Sequence, residues 1–238
     1  MTASPTVPQT KILAWGVHLF TASGAVFGAL ALISIARSDL AFAGVMMMLT
    51  LAIDSVDGAL ARAVGVSRVL PNVDGRRLDD IVDFLNFVIV PVVFMAAAGS
   101  LSHWFWIALP VLASSYGFSQ SDAKTEDDFF LGFPSYWNVL ALYLWILDFS
   151  PGAGDACLLG LSIAVFIPLK YIYPSKMRVL RTSTCLGGLI WTLVMTWVIL
   201  APETATRVWV AQISLIYPAY YIALSAWLGR WDQSLRRA

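Results

Sequence analysis

The sequence predicts an all-α fold: a polytopic integral membrane protein of about eight transmembrane helices with both termini on the cytoplasmic side. Three observations point there. Apolar stretches of about 17 residues or more recur along the chain, the length a helix needs to cross a bilayer core. Hydrophobic residues make up 59% of the 238 and charged ones only 13%, against about 25% in soluble domains; mean hydropathy is +0.75. The basic residues are also segregated. With the N-terminus inside, 13 of the 15 Lys and Arg fall on the cytoplasmic side and only Arg37 and Arg207 on the other, as the positive-inside rule expects. An odd number of spans would scramble that asymmetry.

In chain order the spans are read at roughly 13–36, 40–62, 79–99, 103–119, 134–149, 155–173, 184–201 and 206–229. The opening "MTASPTVPQT" lacks the charged n-region of a cleaved signal, so the first span is expected to act as its own insertion signal. The second and third spans are joined by a loop on one side and are expected to pack as antiparallel neighbours. "GSLSH" and "SPGAGD" separate later spans as tight turns do, and the fourth and fifth spans are short and polar-ended. No soluble domain boundary, low-complexity tract or internal repeat interrupts the chain, so residues 1–238 read as a single transmembrane domain. Cys157 and Cys185 fall inside spans, which argues against a disulfide framework. The 15 acidic and 15 basic side chains balance and give no reason to expect nucleic acid as a partner.

The stretch "DSVDGALARAVGVSRVLPNVDGRRLDDIVD", residues 54–83, breaks the apolar pattern. Asp54 and Asp57 are three apart near the cytoplasmic end of the second span, hence on one helix face; Asp79 and Asp83 are four apart at the start of the third. Ionisable residues inside spans are costly and mark a cavity and a function. Four convergent carboxylates repel unless a cation sits among them, and the hard-oxygen donor set suits Mg²⁺ or Mn²⁺. Two such ions are able to clamp a diphosphate. Asp74 and Asp80 fall off this face and read as loop charge or as charge supporting the four from behind.

These residues resemble the signature of the CDP-alcohol phosphatidyltransferase family, D-x2-D-G-x2-A-R-x8-G-x3-D-x3-D. Asp54, Asp57, Gly58, Ala61, Arg62, Gly75, Asp79 and Asp83 fill all eight fixed positions; the one departure is 12 rather than 8 residues between Arg62 and Gly75. The longer spacer, the span count and the length are similar to the bacterial branch that joins CDP-diacylglycerol to free choline. The resemblance implies metal ligation by Asp54, Asp57, Asp79 and Asp83, with Asp83 also the general base toward the acceptor hydroxyl. It implies a CDP pocket shaped by Asp57, Gly58, Ala61, Arg62 and Gly75, and CMP as the leaving group. "HLFTASGAVFGALAL" is similar to the family's first helix, which makes Thr21, Ser23 and Gly24 further nucleotide contacts, with His18 a polar neighbour. The implied setting is the bacterial inner membrane, with the site facing the cytoplasm amid membrane phospholipid. Members are often homodimers.

A quaternary ammonium offers no hydrogen-bond donor and is held by aromatic faces. The candidates are Glu126, Tyr136, Trp137, Asn138 and Tyr171, with Phe133, Tyr116 and Tyr173 nearby. "KYIYPSKMRVLR", carrying Lys170, Lys176, Arg178 and Arg181, leaves an alternative open: a phosphorylated acceptor such as glycerol phosphate or inositol phosphate. Serine and ethanolamine remain as well. From another class comes a cation-coupled transporter, which would place its acids near the membrane midplane, whereas these sit one to two turns from the span ends.

Overall fold

The computed structural model describes residues 7–120, 123, 125 and 127–230. Helix α1 (Val7–Ala36) turns back through Asp39, whose carboxylate caps α2 (Leu40–Val64) by accepting from the Phe42 N–H at 3.0 Å. Gly65 ends α2 in the left-handed region at φ 69°, its N–H reaching the carbonyls of Ala61 and Arg62, so the chain can turn directly into the single helical turn α3 (Val66–Val69). Asp74 then caps α4 (Gly75–Asp83), accepting from the Arg77 N–H at 3.1 Å. The third long helix therefore starts four residues before the expected 79, at an N-cap signal the apolar pattern passes over. A π-helical turn, Phe84–Ile89, carries it into α5 (Val90–Ala97).

A 3₁₀ turn, Trp104–Ile107, leads into α6 (Ala108–Ser119); then come β1 (Phe129–Leu131), α7 (Trp137–Ile146), α8 (Pro151–Val165) and β2 (Lys170–Ile172), followed by α9 (Arg181–Leu200), α10 (Ala205–Ser214) and α11 (Ile216–Leu228). Among the described residues, five helices are long and apolar enough to cross a membrane: Thr10–Ala36, Leu40–Val64, Gly75–Ala97, Arg181–Leu200 and Ala205–Leu228. The protein is a helical membrane protein. Three of the expected spans are shorter helices. The one read at 155–173 starts earlier, at Pro151, and stops at Val165, and its tail forms β2. The last span bends where α10 gives way to α11 just ahead of Pro218, which has no N–H to return to the Ser214 carbonyl.

The core gathers Met46, Met47 and Met48 of α2, Phe94 and Met95 of α5, Trp137 and Leu142 of α7, and Met195 and Val198 of α9. Apolar side chains such as Ile12, Leu19, Leu193 and Trp209 point outward, the arrangement that acyl chains rather than water reward. Polar groups inside are matched to one another: the Trp191 indole donates to the Tyr143 hydroxyl at 2.9 Å, which bonds Ser214 at 2.7 Å. The sequence reading foresaw no sheet. β1 and β2 pair antiparallel with Phe130 opposite Tyr171, tying the α6–α7 connection to the α8–α9 connection.

The helix that organises the acidic stretch is α1. It packs along α2 and also along α4, the π turn and α5, so it is the main partner of both acid-bearing helices. The second and third long helices do meet, through α2 and α5 and at the acids of α2 and α4, and α1 packs along both.

Candidate active site

Carboxylate oxygens of Asp54, Asp57 and Asp79 lie within 4.8 Å of one another. The i, i+3 spacing of Asp54 and Asp57 puts both on the α2 face that meets the start of α4, and the Asp74 cap fixes where that start falls. Asp57 is only 5% exposed, and its Oδ2 accepts from the Thr21 hydroxyl of α1 at 2.8 Å. At such separations each like-charge pair costs roughly 3–4 kcal/mol at an effective dielectric of about 20. Three carboxylates this close together could hold a metal ion among them. Oxygen-only donors on two helices, one of them oriented by a threonine hydroxyl, are the kind of donor set that suits a hard divalent cation.

Asp83 closes α4, one turn beyond Asp79, half-buried and outside the group of three. The other motif residues divide by surroundings. A methyl on Gly58 would come 3.2 Å from Arg62 Nη1, so Arg62 folds back over the α2 backbone. A methyl on Gly75 would come 3.0 Å from His18 Cε1; the missing side chain leaves room for the imidazole. His18 is 7% exposed, and its Nε2 has no hydrogen-bond partner among the described residues. Ala61 packs beside Ala14, Val17 and Val66, which makes its small size a matter of seating α1 and α3. Ser23 spends its hydroxyl on the Phe20 carbonyl of its own helix at 2.6 Å. Gly24 is a packing position, facing Val82 and Asn86.

Of the aromatic candidates, Tyr136 stands just ahead of α7, edge-on to Tyr221 with ring centroids 5.5 Å apart. The Tyr221 hydroxyl donates to the Ile172 carbonyl at 3.0 Å, and the Tyr136 hydroxyl lies within electrostatic reach of Asp54. Tyr171 is buried on β2, edge-on to Phe133 at 6.3 Å. Trp137 belongs to the core instead: it is 0% exposed and its indole N–H donates to Ser114 at 2.8 Å. Asn138 is 1% exposed, with neither side-chain polar atom bonded among the described residues. Glu126 lies outside the described residues. Two residues escaped the sequence reading, Tyr221 and Asn86. Tyr221 is one aromatic among many in a span. Asn86 carried a signal, being a lone amide in the apolar run "FLNFVIVPVVF".

Fold and site together define an integral membrane enzyme of the CDP-alcohol phosphatidyltransferase class, three of its four motif acids gathered into one oxygen-lined cluster where two long apolar helices meet. No family model matches the chain. Curated proteins called phosphatidylcholine synthase do. The protein of Legionella pneumophila subsp. pneumophila is 40% identical over 223 residues, 89% of this chain and 87% of its own. That of Legionella bozemanae is 37% identical over 84% of this chain and 97% of its own. That of Borreliella burgdorferi is 35% identical over 90% and 93%. The chain belongs to the phosphatidylcholine synthase family.

Proposed function

We propose that the protein transfers the phosphatidyl group of CDP-diacylglycerol to the hydroxyl of choline, giving phosphatidylcholine and CMP. The observation that carries this reading is the convergence of Asp54, Asp57 and Asp79 in a chain 40% identical to a phosphatidylcholine synthase. Asp54, Asp57 and Asp79 would hold the divalent ion, with Asp83 completing the shell. The bound ion would neutralise the diphosphate and the charge that develops on departing CMP.

The chain's own residues supply the rest. Thr21 holds the Asp57 carboxylate in one orientation, while Arg62, Gly58 and Gly75 bound the nucleotide side. Asp83 takes the proton as the choline oxygen bonds to the phosphorus that carries diacylglycerol and the bond from that phosphorus to the CMP oxygen breaks. No covalent enzyme intermediate is needed. The quaternary ammonium is assigned to the Tyr136 side of the cluster, against Tyr221 and Tyr171 with Asn138 close in sequence, and Glu126 is a further candidate. Choline is favoured over a phosphorylated acceptor because two of the four basic residues that would hold a phosphate are engaged: Lys170 with Asp127 at 2.5 Å and Lys176 with Asp128 at 3.6 Å.

The topology proposed with this function keeps eight membrane segments, three of them short, with both termini and the carboxylates at the cytoplasmic face of a bacterial inner membrane. The segregation of the basic residues supports it. The functional unit is proposed to be a homodimer, by analogy with the wider class. The deciding experiment offers purified protein CDP-diacylglycerol and Mn²⁺ with labelled choline, serine, inositol or glycerol phosphate in turn. Only choline is expected to enter lipid. Incorporation of serine instead would overturn the acceptor while preserving the chemistry.

A further inference from the structure

The cluster depends on how α1 is set against α4, because Thr21 on one helix and Asp79 on the other both meet Asp57 of α2. One buried polar contact lies at that setting. Asn86, two residues into the π-helical span Phe84–Ile89 that begins directly after Asp83, is 2% exposed. Its Nδ2 donates to the Gly24 carbonyl of α1 at 3.1 Å. Its Oδ1 has no hydrogen-bond partner among the described residues and lies so close over Gly28 that a methyl there would come within 2.3 Å of it. A methyl on Gly24 would come 2.8 Å from Val82 Cγ1. Asp83 is thus bracketed by Val82 and Asn86, both pressed into the glycine groove of α1.

The widened turn has a local cause. Pro91 has no N–H, and its ring would press on the Phe87 carbonyl in a regular helix; ahead of it the Val90 N–H bonds to Leu85, five residues back. The π turn changes the helical phase after Asp83, and π bulges recur at functional sites. Between α1 and α4–α5 the amide locks register at the level of the acids, where apolar packing alone would leave both helices freer to slide in lipid.

We propose that Asn86 is a positioning residue for the metal-binding cluster. Acting through Thr21 on one side and Asp83 on the other, it holds α1 and α4 in the register at which the carboxylates share one cation. This rests on the metal-dependent transferase reading above.

The test uses the full chain in nanodiscs, with Mn²⁺ alone as the binding probe, read by the loss of the free-ion electron paramagnetic resonance signal, and with choline transfer measured in parallel. Asn86→Leu keeps bulk and loses the amide. It should raise the Mn²⁺ concentration at half-saturation at least fivefold and lower kcat at least tenfold, with KM for CDP-diacylglycerol and choline within threefold. Gly28→Ala should do the same by pushing the amide out, and it reads the same contact if Asn86→Leu fails to accumulate in the membrane. In an Asn86→Ala background, Gly28→Ala should change Mn²⁺ half-saturation less than twofold, since only the flexible end of Leu85, 3.2 Å from the added methyl, is left to give way. Wild-type Mn²⁺ binding in both single variants, or additive effects in the double, overturns the positioning role alone. A wild-type chain that binds no Mn²⁺ overturns this role and the metal reading together. Failure to use choline with Mn²⁺ binding intact overturns only the acceptor, and the Mn²⁺ arm still decides the role of Asn86.

Discussion

Thr21 and Asp57 meet across the α1–α2 interface: the threonine hydroxyl donates to Oδ2 at 2.8 Å although 36 residues separate them. The bond turns a buried carboxylate toward Asp54 and Asp79, and partners that orient a metal ligand typically contribute about 10- to 100-fold in affinity. Thr21→Val should weaken Mn²⁺ binding by about that factor. Thr21→Ser, which keeps the hydroxyl, should stay within about threefold. Titration of both variants with Mn²⁺ checks this, and equal affinities would remove Thr21 from the site.

Asp83 is assigned the acceptor proton. Asp83→Asn keeps shape and loses basicity, so turnover should fall by about 10²- to 10⁴-fold, the usual contribution of a general base. CDP-diacylglycerol should still bind in part, since Asp54, Asp57 and Asp79 persist as a group. Equilibrium binding beside single-turnover transfer separates the two. Full turnover in the variant would give the base role to another group.

Removal of divalent ions with a chelator should abolish transfer, and Mn²⁺ or Mg²⁺ should restore it. Because the ion binds only the folded cluster, saturating Mn²⁺ should also stabilise the protein, by about 2.7 kcal/mol at a hundredfold excess over Kd. A thermal melt in nanodiscs with and without ion reads this. Asp79→Ala should melt at the same temperature in both conditions.

The acceptor assignment predicts a split in kinetic constants. Tyr221→Leu removes one aromatic face beside Tyr136, and a desolvated cation–π contact is worth about 2 kcal/mol. KM for choline should rise roughly thirtyfold while KM for CDP-diacylglycerol barely moves. A rise in both would mean that Tyr221 supports the fold rather than the acceptor.

The Lys170 ammonium hydrogen-bonded to Asp127, with Thr125 assisting, holds the Asp127 carboxyl below its ordinary value of 3.8. A depressed carboxylate stabilises the fold above its unfolded pKa and loses that contribution as pH falls through the lower folded value. The pair is solvent-exposed, so its worth is under about 1 kcal/mol. Asp127→Asn should therefore increase amide exchange in Phe129–Leu131 slightly at pH 7, and the difference should fade below about pH 3.8. A difference that grows on acidification would contradict the pairing.

Much of this protein was legible as text. Long apolar runs announce helices wherever lipid is the solvent, because a backbone in hydrocarbon must satisfy its own hydrogen bonds, and all five long helices follow such runs. The acids at 54, 57 and 79 declared themselves by helical spacing, which is a local property of the chain. What spacing cannot express is the partner on the far side of a contact. Nothing in the string says that α1 would lie against both acid-bearing helices, that Gly75 leaves room for His18, or that Trp137 would sink into the core while Tyr136 stayed near Asp54. Nor does it say that Asn86 would seat in the Gly24–Gly28 groove beneath Asp83. Those are outcomes of close packing among distant segments, where a methyl's width decides which side chain occupies a space, and that competition is settled only when the helices come together.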